Sequence, residues 1–127
     1  MVSSSGSSDV KWDPSCDTAE HQHKSPPHSP YTGTAFDRAA ALFRAAGDVS
    51  RLKLLELLSH GELCVTEIAD TLDEGLSTVS QRLRILRAEG LVRRKREGKH
   101  IYYALADEHV SRMLHDALAH ASEPRDD

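Results

Sequence analysis

The chain has only two cysteines, Cys16 and Cys64, among its 127 residues. That is too few for a disulfide framework, so reduced thiols and a fold carried by its hydrophobic core are expected. Long apolar runs are missing too, and nothing approaches the roughly 20 apolar residues of a membrane span. The opening MVSSSGSSDVKWDPSC has no basic region followed by an apolar one, so it does not read as a secretory signal. These absences point to a cytoplasmic protein with no membrane partner. Aromatic residues are scarce at 5%, and the hydrophobic share is 39%, which allows a modest core that a second copy would help to complete. Proline is nearly confined to the start: four of the five precede residue 32. There they mix with many serines and with Cys16, His21, His23 and His28, a composition that builds no packed core. The expected division is a flexible Cys/His-bearing arm over 1–32, a folded domain over 33–123 and a tail over 124–127.

Helical periodicity begins at TGTAFDRAAALFRAAG, with Thr34 the expected N-cap and Gly47 just past the end. A second helix, DVSRLKLLELLSHG, places Leu52, Leu55 and Leu58 on one face and stops near Gly61. After a short ELCV come TEIADTL and then LSTVSQRLRILRAEG, in which Val79, Leu83 and Leu86 keep helical spacing up to Gly90. The period then changes to two. LVRRKREGKHIYYAL reads as strand, a turn at Glu97-Gly98-Lys99, and strand. A closing helix covers DEHVSRMLHDALAHASE. A short helix, a turn, a longer helix and a basic hairpin, in that order, predict a mainly α fold with a small β wing: a winged helix-turn-helix, whose second helix enters the major groove of DNA.

Charge is distributed accordingly. The whole chain carries −4, yet residues 77–100 hold eight basic side chains against Glu89 and Glu97, or +6. A concentrated basic segment in an acidic protein is the footprint of a DNA-contacting element. Short polar side chains able to reach base edges, Ser77, Thr78, Ser80 and Gln81, precede the basic run, and Arg84, Lys95, Arg96 and Lys99 are the candidate partners of phosphate. Double-stranded operator DNA is the expected partner.

The closing helix carries four further candidates. His109 and His120 are eleven residues apart, nearly three whole turns, which puts them on one face but about 16 Å apart along the axis. One ion bonds a histidine nitrogen at about 2.0–2.1 Å, so it cannot hold both histidines of one helix. The stretch therefore reads as two half-sites, Asp107 with His109 and His120 with Glu123. His115 lies about 240° round the helix from His109 and is expected at the surface.

These segments, DVSRLKLLELL, ELCVTEIAD, STVSQRLRILRAEGLV, GKHIYYAL and the Asp107, His109, His120, Glu123 set, resemble the ArsR/SmtB family of metal-sensing winged-helix repressors over roughly residues 36 to 123. The resemblance implies a homodimer that binds operator DNA without metal and releases it when metal binds. It also implies that the four closing-helix residues are the ligands of the zinc and cobalt sensors, and that His120 signals to the junction of recognition helix and wing near Gly90. Two antiparallel helices across a twofold axis would bring Asp107 and His109 of one protomer beside His120 and Glu123 of the other. Two imidazoles and two carboxylates suit Zn(II), with Co(II) or Cd(II) as competitors.

The sequence also departs from the family pattern. Where soft-metal sensors have a second cysteine after ELC, this chain has Thr66, and Glu67 replaces an aspartate. Cys64 and Glu67 still resemble a half-site that zinc sensors complete from the other protomer's arm, for which Cys16 and His21 or His23 are candidates. A repressor sensing soft metal or thiol oxidation through Cys16 and Cys64 therefore stays open beside the zinc reading. Ahead of the recognition helix, Glu74-Gly75-Leu76-Ser77 replaces the usual apolar residue and Ser or Thr cap. The chain shows no general base or nucleophile paired near the candidate ligands, and catalysis would leave the basic hairpin unexplained; a metal-buffering protein, which eight histidines in 127 residues would suit, is a further alternative that DNA binding separates from the repressor readings. No enzyme activity and no small-molecule substrate are expected.

Overall fold

The computed structural model describes residues 28–126, and the fold is that of the unit Tyr31–Ala121. The expected arm residues Cys16, His21 and His23 lie outside the described residues. Among the described residues, five helices and three short strands follow in the order α1 (Gly33–Ala46), α2 (Val49–Leu58), β1 (Leu63–Cys64), α3 (Val65–Leu72), α4 (Leu76–Ala88), β2 (Val92–Glu97), β3 (His100–Leu105) and α5 (Glu108–Ser122). This is a winged helix-turn-helix.

The first cap corrects the sequence reading. Thr32, not Thr34, caps α1: its backbone is extended and its hydroxyl accepts from the Ala35 amide at 3.2 Å, whereas Thr34 already lies in the first turn. The Gly47 amide closes the helix on the Phe43 carbonyl at 2.8 Å. Asp48 then caps α2 through the Arg51 amide at 3.0 Å, and the Arg51 side chain reaches back to donate to the Ala45 carbonyl at 2.6 Å. One arginine thus satisfies a C-terminal carbonyl of α1 and fixes the α1–α2 angle.

In α2 the buried leucines are Leu54, Leu55 and Leu58, while Leu52 is half-buried. A single-stripe reading misses Leu54 because α2 packs against α1, α3 and β3 together, and a helix covered on several sides buries more than one stripe. In α4 the expected stripe Val79, Leu83 and Leu86 is buried as spaced. Ile68 of α3, Leu91, and Val110 and Leu114 of α5 complete the core, and no polar side chain is buried among the described residues.

The sheet has one more strand than the sequence suggests. Its order is β1-β3-β2, with β1 antiparallel to β3 at Leu63↔Tyr103 and Cys64↔Tyr102. Two residues are too few to show a period of two, so ELCV reveals nothing by itself. In the hairpin Glu97 pairs with His100, so the turn is the two residues Gly98-Lys99 instead of three. Gly98 takes φ 63° there and Lys99 does not share that sign, which fits the tight hairpin turns that match strand twist. At the end of α4, Gly90 at φ 77° lets the Leu91 amide reach the Leu86 carbonyl at 2.9 Å, and both leucines are fully buried. A glycine-terminated helix end of this kind delivers the chain straight into the wing.

Candidate nucleic-acid interface and metal ligands

The turn between α3 and α4 sets how the second helix is presented. α3 ends with Asp73 in the left-handed region, φ 55°, which lets the Glu74 amide donate to the Ala69 carbonyl at 3.0 Å and the Asp73 amide to the Asp70 carbonyl at 3.3 Å. α4 then starts from Gly75, whose carbonyl accepts from the Val79 amide at 3.1 Å and which has no side chain to cap the other amides. Ser77, Thr78, Ser80, Gln81 and Arg84 are all exposed, opposite the buried Val79, Leu83 and Leu86. The polar residues read as base-facing candidates therefore share one solvent face, at a helix end whose amide groups and dipole favour a phosphate.

The wing presents its cations on both faces. Val92 turns into the core, so Arg94 and Arg96 continue that face beyond the core, while Arg93 and Lys95 occupy the other face with Tyr102 and Ala104 opposite them. Arg96 and Lys99 are exposed near the tip. Lys95 is placed differently from the sequence reading. Its ammonium lies 3.0 Å from Glu62 and 3.5 Å from Glu97, and the hydrogen bond to Glu62 holds its pKa above the ordinary lysine value. Arg82 is paired as well, donating to Glu74 from half-buried surroundings. Two of the eight cations in the basic segment thus meet carboxylates from outside it, and the net +6 of 77–100 falls to +4 once Glu62 and Glu74 are counted. Sequence reasoning missed both acids, since one requires the register of β1 and the other the path of the turn.

The remaining candidates fall at two places. Cys64 is half-buried at the start of α3, and its amide donates to Glu67 at 2.9 Å. That hydrogen bond, helped by the Cys64 thiol and the charge of His100, keeps the Glu67 carboxyl below the usual carboxylate range. Glu67 is accordingly committed to closing the first turn of α3. At α5, Asp107 precedes the helix and accepts from the Val110 amide at 3.1 Å, and His109 Nδ1 lies 3.8 Å from the same carboxylate oxygen. Both are well exposed, His109 at 86% and Asp107 at 57% of their side-chain surface. His120 is exposed in the last turn of α5, and Glu123 is exposed one residue beyond the helix; His115 is exposed as expected. Among the described residues, no three of His, Cys, Asp and Glu are gathered to hold one ion, and no helix is long and apolar enough to cross a membrane.

Comparison with known proteins agrees with this geometry. Residues 48–94, from the cap of α2 into the first wing strand, match the model of the bacterial regulatory protein, arsR family. A transcriptional repressor SmtB homolog of Synechocystis is 42% identical over 84 residues, 66% of this chain and 64% of that protein, so the match spans a little under two thirds of that relative. A cadmium resistance transcriptional regulatory protein, a CadC homolog of Staphylococcus aureus, is 39% identical over 66% of this chain and 70% of its own length. The solution structure of a homodimeric winged helix-turn-helix DNA-binding domain from Mycobacterium bovis superposes with a TM-score of 0.71 at 32% identity, covering 80% of this chain and 94% of that one. Helix order, wing and sequence agree: the chain belongs to the ArsR family of bacterial regulatory proteins.

Proposed function

We propose that this protein is a metal-responsive transcriptional repressor. It binds double-stranded operator DNA as a homodimer and leaves it when Zn(II), or Co(II) or Cd(II), binds at sites shared between the C-terminal helices of two protomers. The observation that carries the metal reading is the layout of α5. Asp107 and His109 lie exposed at its start, 3.8 Å apart, and His120 is exposed in its last turn. No third donor joins Asp107 and His109 within the described protomer. The reading draws the remaining donors from a second chain, and the relatives include a cadmium resistance regulatory protein and a homodimeric DNA-binding domain.

The donors fit the ion: bound Zn(II) would act as a regulatory ligand held tetrahedrally by two imidazoles and two carboxylates, Asp107 and His109 from one protomer and His120 and Glu123 from the other. The Asp107 carboxylate is already fixed by the Val110 amide, which limits its freedom before any ion arrives. On the DNA side, α4 lays Ser77, Thr78, Ser80 and Gln81 against base edges, with Arg84, Arg96 and Lys99 on phosphate. Arg93, Arg94 and Arg96 make the wing a basic arm beside the groove.

The test uses a fluorescent duplex that the wild-type protein enriches from a pool of randomised inverted repeats. Zn(II) should release the wild-type protein from it, with a coupling of the usual allosteric size, about 1–3 kcal/mol. His120→Gln should dimerise and bind the duplex but stay bound at saturating Zn(II). A His120→Gln protein that still leaves the duplex would place the coupling elsewhere.

A further inference from the structure

We infer that the Glu74–Arg82 pair is a clamp that positions the recognition helix, and that Arg82, though it sits in the basic run, contacts no DNA. The inference rests on the DNA-binding reading of α4 given above. Arg82 donates to Glu74, which lies in the turn two residues before α4 begins. The pair is the most sheltered of the side-chain ion pairs found among the described residues, with 21% of Arg82 and 31% of Glu74 exposed.

Helix geometry separates Arg82 from the DNA face. At about 100° per residue, Gln81 and Arg84 fall within about 40° of Ser77, whereas Arg82 lies about 140° round, at the margin of that face between Thr78 at about 100° and the buried Leu86 at about 180°. A guanidinium there reaches back toward the turn and not out toward a groove. Its chemistry suits the task, because a planar multi-donor group holds a carboxylate in a defined direction.

The turn needs such a restraint. Gly75 offers α4 no side-chain cap, and Asp73 holds a left-handed conformation that an L side chain seldom adopts. Two weakly determined residues therefore flank Glu74. Tying Glu74 to Arg82, eight positions on in the second turn of α4, bridges Gly75, anchors the chain just after Asp73 and sets where Ser77 and Thr78 begin. Lys53 of α2 lines the same small cavity of about 110 Å³ as Glu74, so a second cation stands ready if Arg82 is lost. Removal of the carboxylate is accordingly the sharper perturbation.

Glu74→Gln should bind the wild-type-enriched duplex about tenfold more weakly, bind a random duplex within twofold of wild type, and keep the wild-type slope of log affinity against log salt. Amide hydrogen exchange at Val79 and Ser80 should accelerate at least fivefold while the amides of Leu55 and Leu58 stay unchanged, which shows that the fold is intact. The swapped double variant Glu74→Arg, Arg82→Glu should recover most of the lost affinity and the slow exchange. An Arg82→Gln protein that weakens both duplexes alike and flattens the salt slope by about one unit per protomer would make Arg82 a phosphate contact and overturn the clamp. So would unchanged affinity and exchange in Glu74→Gln. A wild-type protein that enriches no duplex would instead remove the DNA-binding reading, and the exchange measurement would still decide whether Glu74 holds the start of α4.

Discussion

Arg84 and Lys95 both carry one positive charge on the candidate DNA surface, yet the structure predicts that replacing them by alanine will have different consequences. Arg84 stands exposed on α4, whereas Lys95 lies between Glu62 at 3.0 Å and Glu97 at 3.5 Å. A phosphate that takes Arg84 displaces counterions, and each such contact adds about 0.9 to the salt slope on duplex DNA. In a twofold dimer each substitution is made twice, so Arg84→Ala should flatten the slope by about 1.8. Between about 50 and 200 mM salt, a fourfold range, that difference amounts to roughly a 12-fold change in the ratio of mutant to wild-type affinity. Lys95 must give up an existing exposed ion pair to reach a phosphate, and such a pair is worth only about 0–1 kcal/mol. Little net charge is released in that exchange. Lys95→Ala should therefore shift the slope by less than half as much as Arg84→Ala, and Glu62→Gln should strengthen DNA binding. Fluorescence anisotropy on one duplex across the salt range measures all three proteins. Equal slope changes for Arg84→Ala and Lys95→Ala would refute the argument, because they would show that Glu62 does not hold Lys95 in solution.

Three further outcomes are expected. Cys16→Ser with Cys64→Ser should leave the Zn(II) response of DNA binding intact, since the α5 donors contain no sulfur; loss of the response in an anisotropy titration would favour the thiol-sensing alternative. Leu83→Ala, at a position 1% exposed, should cost about 2–5 kcal/mol in chemical denaturation, and a cost under 1 kcal/mol would mean that the core closes differently around α4. The folded-state pKa of Glu67 is depressed from 4.5 chiefly by the Cys64 amide, so its contribution to stability is fully present above that value and disappears as pH falls through the lower folded value. The melting-temperature gap between wild type and Glu67→Ala should therefore be wide at neutral pH and narrow in strong acid; a constant gap would detach Glu67 from the amide.

How much of this was legible in the sequence differs from element to element. The core face of α4 could be read because Val79, Leu83 and Leu86 follow one stripe and the opposite face is uniformly polar. The hairpin was visible because a period of two flanks a glycine that the turn requires. Leu54 escaped because α2 is covered on several sides, and β1 escaped because two residues carry no period. Thr32 and Thr34 are equally good caps as letters, and only backbone geometry chose between them. At the interface, residue type and spacing placed the solvent face of α4 but overstated its charge. Glu62 and Glu74 are brought to Lys95 and Arg82 by strand pairing and by the turn, and neither contact has a signature in local sequence. On α5, helical spacing shows that one ion cannot hold both His109 and His120, since the axial rise keeps them apart whatever the packing, whereas their reading as metal ligands comes from the family resemblance.

The sheet order carries a consequence of its own. With β3 in the middle, the six-residue strand β2 is an outer edge, and among the described residues one side of its backbone has no neighbouring strand within the sheet. An open edge of that length invites a second copy to add its own strand, and charged side chains are among the usual deterrents. The VRRKRE sequence of β2 places four consecutive cations along that edge, where two such strands from different molecules would repel one another. The wing cations thus guard solubility, whatever else they contact. A variant with all four replaced by alanine should lose more than its operator: it should begin to self-associate along β2, and more readily in high salt, where any remaining repulsion is screened.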